Sequence, residues 1–180
     1  MTRSDFNTRI LVNQTPEQVF NVVNNPRAWW SEEIVGETDK LNAVFDYHFE
    51  DIHRCRIQIV EIIPNKKVVW LVLENYFKPG IFDDGTSQSK NNRLTNNEAE
   101  WTDTTIHFEL SEKDGKTQLQ FLHLGLIPEY ECFDVCANAW THYIRESLYG
   151  LISTGKGQPN STDKPMTEDE ERFKTAGGNA

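Results

Sequence analysis

Residues 130–143 read YECFDVCANAWTHY, and the reading of this stretch decides what kind of molecule the chain is. Cys132 and Cys136 stand four apart, His142 follows them, and His123 lies a short way upstream. On a helix an i, i+4 pair shares one face, so the two thiols could reach a common ion. A structural zinc, however, needs four ligands, usually two of them from a tight knuckle in a loop. No second pair exists, and His142 would sit about 240° around the helix from Cys136. A redox pair would use the closer C-x-x-C spacing at a helix start. What remains is packing, with small thiols filling one side of a helix much as alanine does.

The residues beyond extend that reading. From Tyr130 to Thr154, Phe133, Cys136, Ala137, Trp140, Tyr143, Ile144, Ser147, Leu148 and Leu151 recur at helical spacing. They form one apolar stripe of a long amphipathic helix. Gly155 and Gly157 then stand where left-handed residues end helices.

Upstream the period is mostly two. Phe6, Thr8, Ile10 and Val12 alternate as in a strand. Thr15, Pro16 and Glu17 supply an N-cap, a first helical position and an acidic first turn, and Asn24-Asn25-Pro26 stops that helix. Phe45, Tyr47 and Phe49 share a face, as do Cys55, Ile57 and Ile59. The run KVVWLVLE is apolar on both faces, with Val68, Trp70 and Val72 on one and Val69, Leu71 and Leu73 on the other. Such a strand is covered on both sides, so its second face needs the inserted loop or another subunit over it. Asp114-Gly115 marks a hairpin that sets Ile106, Phe108 and Leu110 beside Leu119, Phe121 and His123. The order predicts an α+β fold in which a curved antiparallel sheet packs its concave side on the last helix.

Two segments stand apart. Lys78–Glu100 is rich in Gly, Asp, Ser and Asn and reads as an inserted surface loop, with a lid as one use for it. Residues 161–180 are polar and read as a disordered or only transiently helical tail, leaving 1–160 as a single domain.

The net charge of −10, with no basic patch, argues against nucleic acid or an anionic membrane as a partner. No apolar run approaches the roughly 20 residues of a membrane helix. The opening MTRSDFNTRI lacks a signal-peptide core, and three cysteines are an odd number. A cytoplasmic protein with free thiols is the expectation, with no metal and no cofactor.

Taken together, the segments ILVNQTPEQVFNVVNNPRAWW, TTIHFELSEKDGKTQLQFLHLGL and YECFDVCANAWTHYIRESLYGLISTGKGQP resemble AHSA-type members of the SRPBCC (START-like) superfamily. The likeness spans residues 6–160 and rests on an ordered set of short motifs, although Ala139 stands before Trp140 where glycine is common and the 78–100 insertion departs from the simplest members. It implies a helix-grip fold, often with an apolar cavity between sheet and helix.

The residues then expected to line such a cavity are Trp30, Phe45, Tyr47, Trp70, Phe108, Phe121, His123, Trp140 and Tyr143. Rigid aromatics on a concave sheet make either a ligand pocket or a filled core. His123 would hold a ligand's polar end, shuttle a proton, or make a structural hydrogen bond. Glu74 shares the parity of Trp70 and Val72 and is either a candidate base or a solvated strand end. His48, His53, His107 and His142 are taken as surface residues. The favoured function is non-catalytic binding of a small hydrophobic molecule. The alternatives are a chaperone-associated, stress-related module like the activators of the heat-shock-protein-90 ATPase, and a cyclase or dehydratase using His123. A homodimer is a further expectation.

Overall fold

A computed structural model describes residues 4–82 and 100–177. Seven strands form one antiparallel sheet in the order β1-β7-β6-β5-β4-β3-β2. They are β1 (Phe6–Val12), β2 (Val35–Gly36), β3 (Val44–Phe49), β4 (His53–Ile63), β5 (Lys67–Phe77), β6 (Thr105–Lys113) and β7 (Lys116–Leu124). Helix α1 (Pro16–Val23) and a 3-10 turn (Pro26–Ala28) lie between β1 and β2. The long C-terminal helix runs as α2 (Phe133–His142), a π-helical stretch (Tyr143–Leu148) and α3 (Tyr149–Thr154). The sheet curves around this helix, which is the α+β helix-grip arrangement.

Local chemistry explains these boundaries. Thr15 caps α1, and the side chain of Gln18 accepts from the Thr15 N–H, a reciprocal capping box with Pro16 at the first position. Asp114 and Gly115 both take positive φ, which a two-residue hairpin needs, and Lys113 faces Lys116 across it. On the long helix Cys136, Trp140, Ile144, Leu148 and Ile152 are all buried. That constant spacing of four is wider than 3.6, and the π-helical stretch absorbs the difference.

Two bulges adjust the strands. Ile57 pairs with Val72 and Arg56 with Glu74, so Leu73 is an extra residue that flips the parity of the rest of β5. Glu74 is therefore exposed on the outer face, and Asn75 and Phe77 turn inward in its place. The expectation that Glu74 could point into the interior fails for this reason. On the outer face of β5, Val69 is buried and Leu71 and Leu73 are half-buried. The stripe is not bare, but residues 83–99 of the insertion lie outside the described residues, so neither expected cover is identified.

The tail departs most from expectation. After Gly155 caps α3 at φ 81°, the chain runs back along the 3-10 turn, where Asn160 accepts from the Glu32 N–H and donates to Trp30. It then forms helix α4 (Glu168–Gly177), with Phe173 and Glu170 buried. The polar average of the tail concealed one apolar anchor and one buried carboxylate, which suffice to dock a short helix.

Gly157 sits where this return path touches the body. A Cβ there would lie 2.0 Å from the Ala28 carbonyl oxygen, too close for any side chain. Gly157→Ala should therefore lower the urea-unfolding free energy by about 1–3 kcal/mol, the usual cost of overpacking a closed contact. Gly155→Ala, with no atom within 4 Å of its Cβ, should show only the penalty of a left-handed φ.

Candidate functional site

The sheet and the long helix meet through aromatic rings. Trp30 stacks on Tyr47 at 4.1 Å, Trp140 lies 5.0 Å from Trp30 and 4.8 Å from Phe121, and Trp101 stacks on Trp140 at 5.6 Å. Behind them Trp29, Trp70, Phe45, Phe108 and Phe121 are fully buried and close-packed.

Toward the outer end of the seam the packing opens into a cleft of about 50 Å³. Trp30, Tyr47, Phe49 and Ile52 line its sheet side, joined by His53, Phe77 and Trp101. Cys136, Ala139, Trp140 and Tyr143 line its helix side, and Thr167, Glu170 and Phe173 of the terminal segment close it. Phe173 meets Phe82 edge-on at 6.1 Å, and Phe82 in turn meets Phe77 at 5.0 Å.

The polar end of the cleft is built around Glu170. Tyr143 donates its hydroxyl to the carboxylate at 2.5 Å, and Asn160 Nδ2 donates at 2.7 Å. The N–H groups of Met166 and Thr167 add two more bonds at 2.9 and 3.1 Å. All four donors are neutral. Asn160 Nδ2 also lies 2.9 Å from Tyr143 Oη and 3.3 Å from Tyr47 Oη. Burial, with the Glu170 charge next in weight, holds the phenol protons of Tyr47 and Tyr143 well above the ordinary tyrosine range. Trp101 Nε1 is buried with no hydrogen-bond partner among the described residues.

His123 is fully buried and sealed. Trp140 Nε1–H donates to Nδ1 at 3.1 Å, which makes Nδ1 the acceptor and leaves the proton on Nε2. Nε2–H donates to Thr104 Oγ1 at 2.8 Å, and that hydroxyl donates to the Trp101 carbonyl at 2.5 Å. Both ring nitrogens are in use. Burial is the main cause that lowers its pKa from 6.5 to about 3. His53 donates Nε2–H to Asn75 Oδ1 at 2.8 Å and stacks on Phe77 at 4.1 Å, and burial lowers its pKa from 6.5 to about 4.

The thiols behave as packing groups. Cys55, Cys132 and Cys136 are buried and free, and burial pushes the Cys132 and Cys55 thiols up. Glu100 accepts from the N–H groups of Glu131 and Cys132, both at 3.0 Å, and so caps the start of the long helix. Among the described residues no cluster of three His, Cys, Asp or Glu side chains is placed to hold a metal ion.

No family model matches the sequence, and a search of curated proteins finds no match. Solved structures do match. The Aha1 dimer of Colwellia psychrerythraea is 19% identical, with a TM-score of 0.63 over 86% of this chain and 99% of that one. The chain shares the fold of that structure. SSP2350 of Staphylococcus saprophyticus is 13% identical, with a TM-score of 0.59 over 88% of this chain and 98% of its own. CalU16 of Micromonospora echinospora is 13% identical, with a TM-score of 0.52 over 94% and 83%.

Within this fold the nine residues singled out by sequence divide into two groups. Trp30, Tyr47, Trp140 and Tyr143 line the cleft. Phe45, Trp70, Phe108 and Phe121 form the solid layer behind it, and His123 is locked between Trp140 and Thr104. His53 was misplaced as a surface residue, although it shares the odd parity of Cys55, Ile57 and Ile59 and could have been read as inward. His48, His107 and His142 are half-buried rather than exposed. Glu170 was missed, yet Thr167-x-x-Glu170 is a capping box: Glu170 N–H donates to Thr167 Oγ1 while its carboxylate accepts from the Thr167 N–H.

The two depressed histidines carry a pH prediction. An unfolded histidine takes a proton below 6.5, whereas these remain neutral in the fold until about pH 3 and 4. Stability is therefore complete above pH 6.5 and is lost as pH falls toward those values. Each group contributes a slope of about 1.4 kcal/mol per pH unit. Urea titrations from pH 7 to 4.5 should show a shallower loss for His123→Gln than for the wild type, by about one proton's worth. Parallel curves for the two proteins would contradict this assignment.

Proposed function

We infer that the protein binds a small hydrophobic molecule, without transforming it, in the cleft between the curved sheet and the C-terminal helix. The observation that carries this reading is the lining: aromatic and aliphatic side chains converge on one opening, with a cluster of polar atoms around Glu170 at one end. That is the usual makeup of a ligand site.

The cleft in this state is too small for a ligand. Its 50 Å³ compares with roughly 300–1,000 Å³ for typical ligand pockets. Access therefore requires α4 to move. Phe173 contributes roughly 1.5–3 kcal/mol by its burial, far less than the aromatic layers beneath. An element held by one apolar side chain and one carboxylate is the first to open locally.

The engagement of both His123 nitrogens in hydrogen bonds supports the binding reading over a cyclase or dehydratase that would use His123. The likeness to the Aha1 dimer is one of fold, and among the described residues no surface feature favours a chaperone contact or a homodimer over the ligand reading.

A neutral apolar dye such as Nile red should bind the full chain saturably. Ala139→Trp, which fills the helix side of the cleft, should weaken that binding by about ten-fold with an unchanged far-ultraviolet spectrum. Dye binding equal in the two proteins would remove the cleft as the site.

A further inference from the structure

Helix α4 offers its own description of what the cleft accepts. Glu170 and Phe173 are three residues apart, so they project from one face of the helix, and both enter the cleft together. One supplies a carboxylate to the polar end, and the other supplies a phenyl ring to the aromatic wall. We propose that this pair stands in for the ligand, and that the cleft takes an aromatic or similarly apolar monocarboxylic acid that displaces α4. The assignment rests on the cleft being a ligand site, and it names the chemistry of that ligand.

Two of the four donors to Glu170 belong to the body and remain when α4 leaves. These are the Tyr143 hydroxyl at 2.5 Å and Asn160 Nδ2 at 2.7 Å, and both reach Oε1. Tyr143 also lies 2.9 Å from Oε2. Neither carries charge, and among the described residues no lysine or arginine contacts this carboxylate. A single negative charge can be satisfied by such donors, whereas a phosphate dianion would be buried without compensation. The other two donors, the Met166 and Thr167 N–H groups, depart with the segment. Their loss favours a ligand whose carboxylate keeps one edge toward the opening and its water.

The apolar body has a size limit as well. It must fit the space vacated by a phenyl ring together with the adjoining 50 Å³, which suits a bicyclic aromatic or a short branched chain. Trp30, Trp101 and Phe77 present ring faces and edges to it.

The test uses full-length protein, 2-naphthylacetate, and its neutral isostere 2-naphthylacetamide, followed by titration calorimetry. Phe173→Ala weakens the internal occupant and should bind the acid about ten-fold more tightly than wild type does. The same variant should prefer the acid over the amide by about ten-fold, and adding Tyr143→Phe should abolish that preference. In the wild type, saturating acid should speed tryptic cleavage after Arg172 and Lys174, because the helix is released. Equal binding of acid and amide would overturn the carboxylate assignment and leave hydrophobic binding standing. No binding of either compound to Phe173→Ala would overturn both. Slower cleavage on adding the acid would show that the ligand sits beneath a retained α4, which overturns the replacement. The wild-type cleavage measurement decides that point even if Phe173→Ala fails to fold.

Discussion

The hydrogen bond from the Trp140 indole to His123 is the constraint on which the arrangement depends. It ties the middle of the long helix to the end of β7 while the same indole packs against Trp30, Trp101 and Phe121. Dispersion and area burial alone would allow the helix to slide along the concave sheet, since apolar contact is not directional. A buried donor with one available acceptor removes that freedom. The cost is a histidine that must stay neutral, so the device that sets the helix position also makes the fold sensitive to acid.

From that fixed point the rest of the interior follows in layers. Behind Trp140 the rings of Trp29, Trp70 and Phe108 close the core completely. Ahead of it the helix carries Val135, Cys136, Ala139 and Tyr143 toward the outer strands, and the small Cys136 and Ala139 side chains leave a gap there. The gap is finished by a segment from the far end of the chain rather than by the sheet or the helix. Ser147 reinforces the path of that segment, donating to the Trp29 carbonyl and accepting from the Gln158 N–H. Gly157 makes the close crossing with Ala28. The cleft is thus closed by the sheet and the long helix and finished by the terminal helix through Phe173 and Glu170.

Much of this was legible in the sequence, for physical reasons that can be named. The stripe from Cys136 to Leu148, the alternation of Phe45, Tyr47 and Phe49, and the Asp114-Gly115 turn are periodic or stereochemical signals, and all three appear as read. Glu74 was left between an inward base and a solvated strand end, because a bulge at Leu73 changes the parity without any mark in composition; the solvated position is the one found. Trp101 could not be assigned, since it follows an insertion and belongs to no repeating pattern. The terminal helix was hidden by averaging: its flanks are acidic and polar, and only Phe173 breaks the run. Its capping box was present in Thr167-x-x-Glu170, but no local rule says that the glutamate of such a box will also meet a buried tyrosine and asparagine from elsewhere. Core positions are written in periodicity, and site positions are written in coincidences between distant segments.

Hydrogen–deuterium exchange on the full chain without ligand tests the central claim most directly. The account predicts that amides in 170–176 are protected, less than those of 136–148, and that Glu170→Gln reduces the protection of 170–176 while sparing the long helix. Exchange of 170–176 at the rate of an unstructured peptide in the wild type would contradict it, because the cleft would then have no lid of its own.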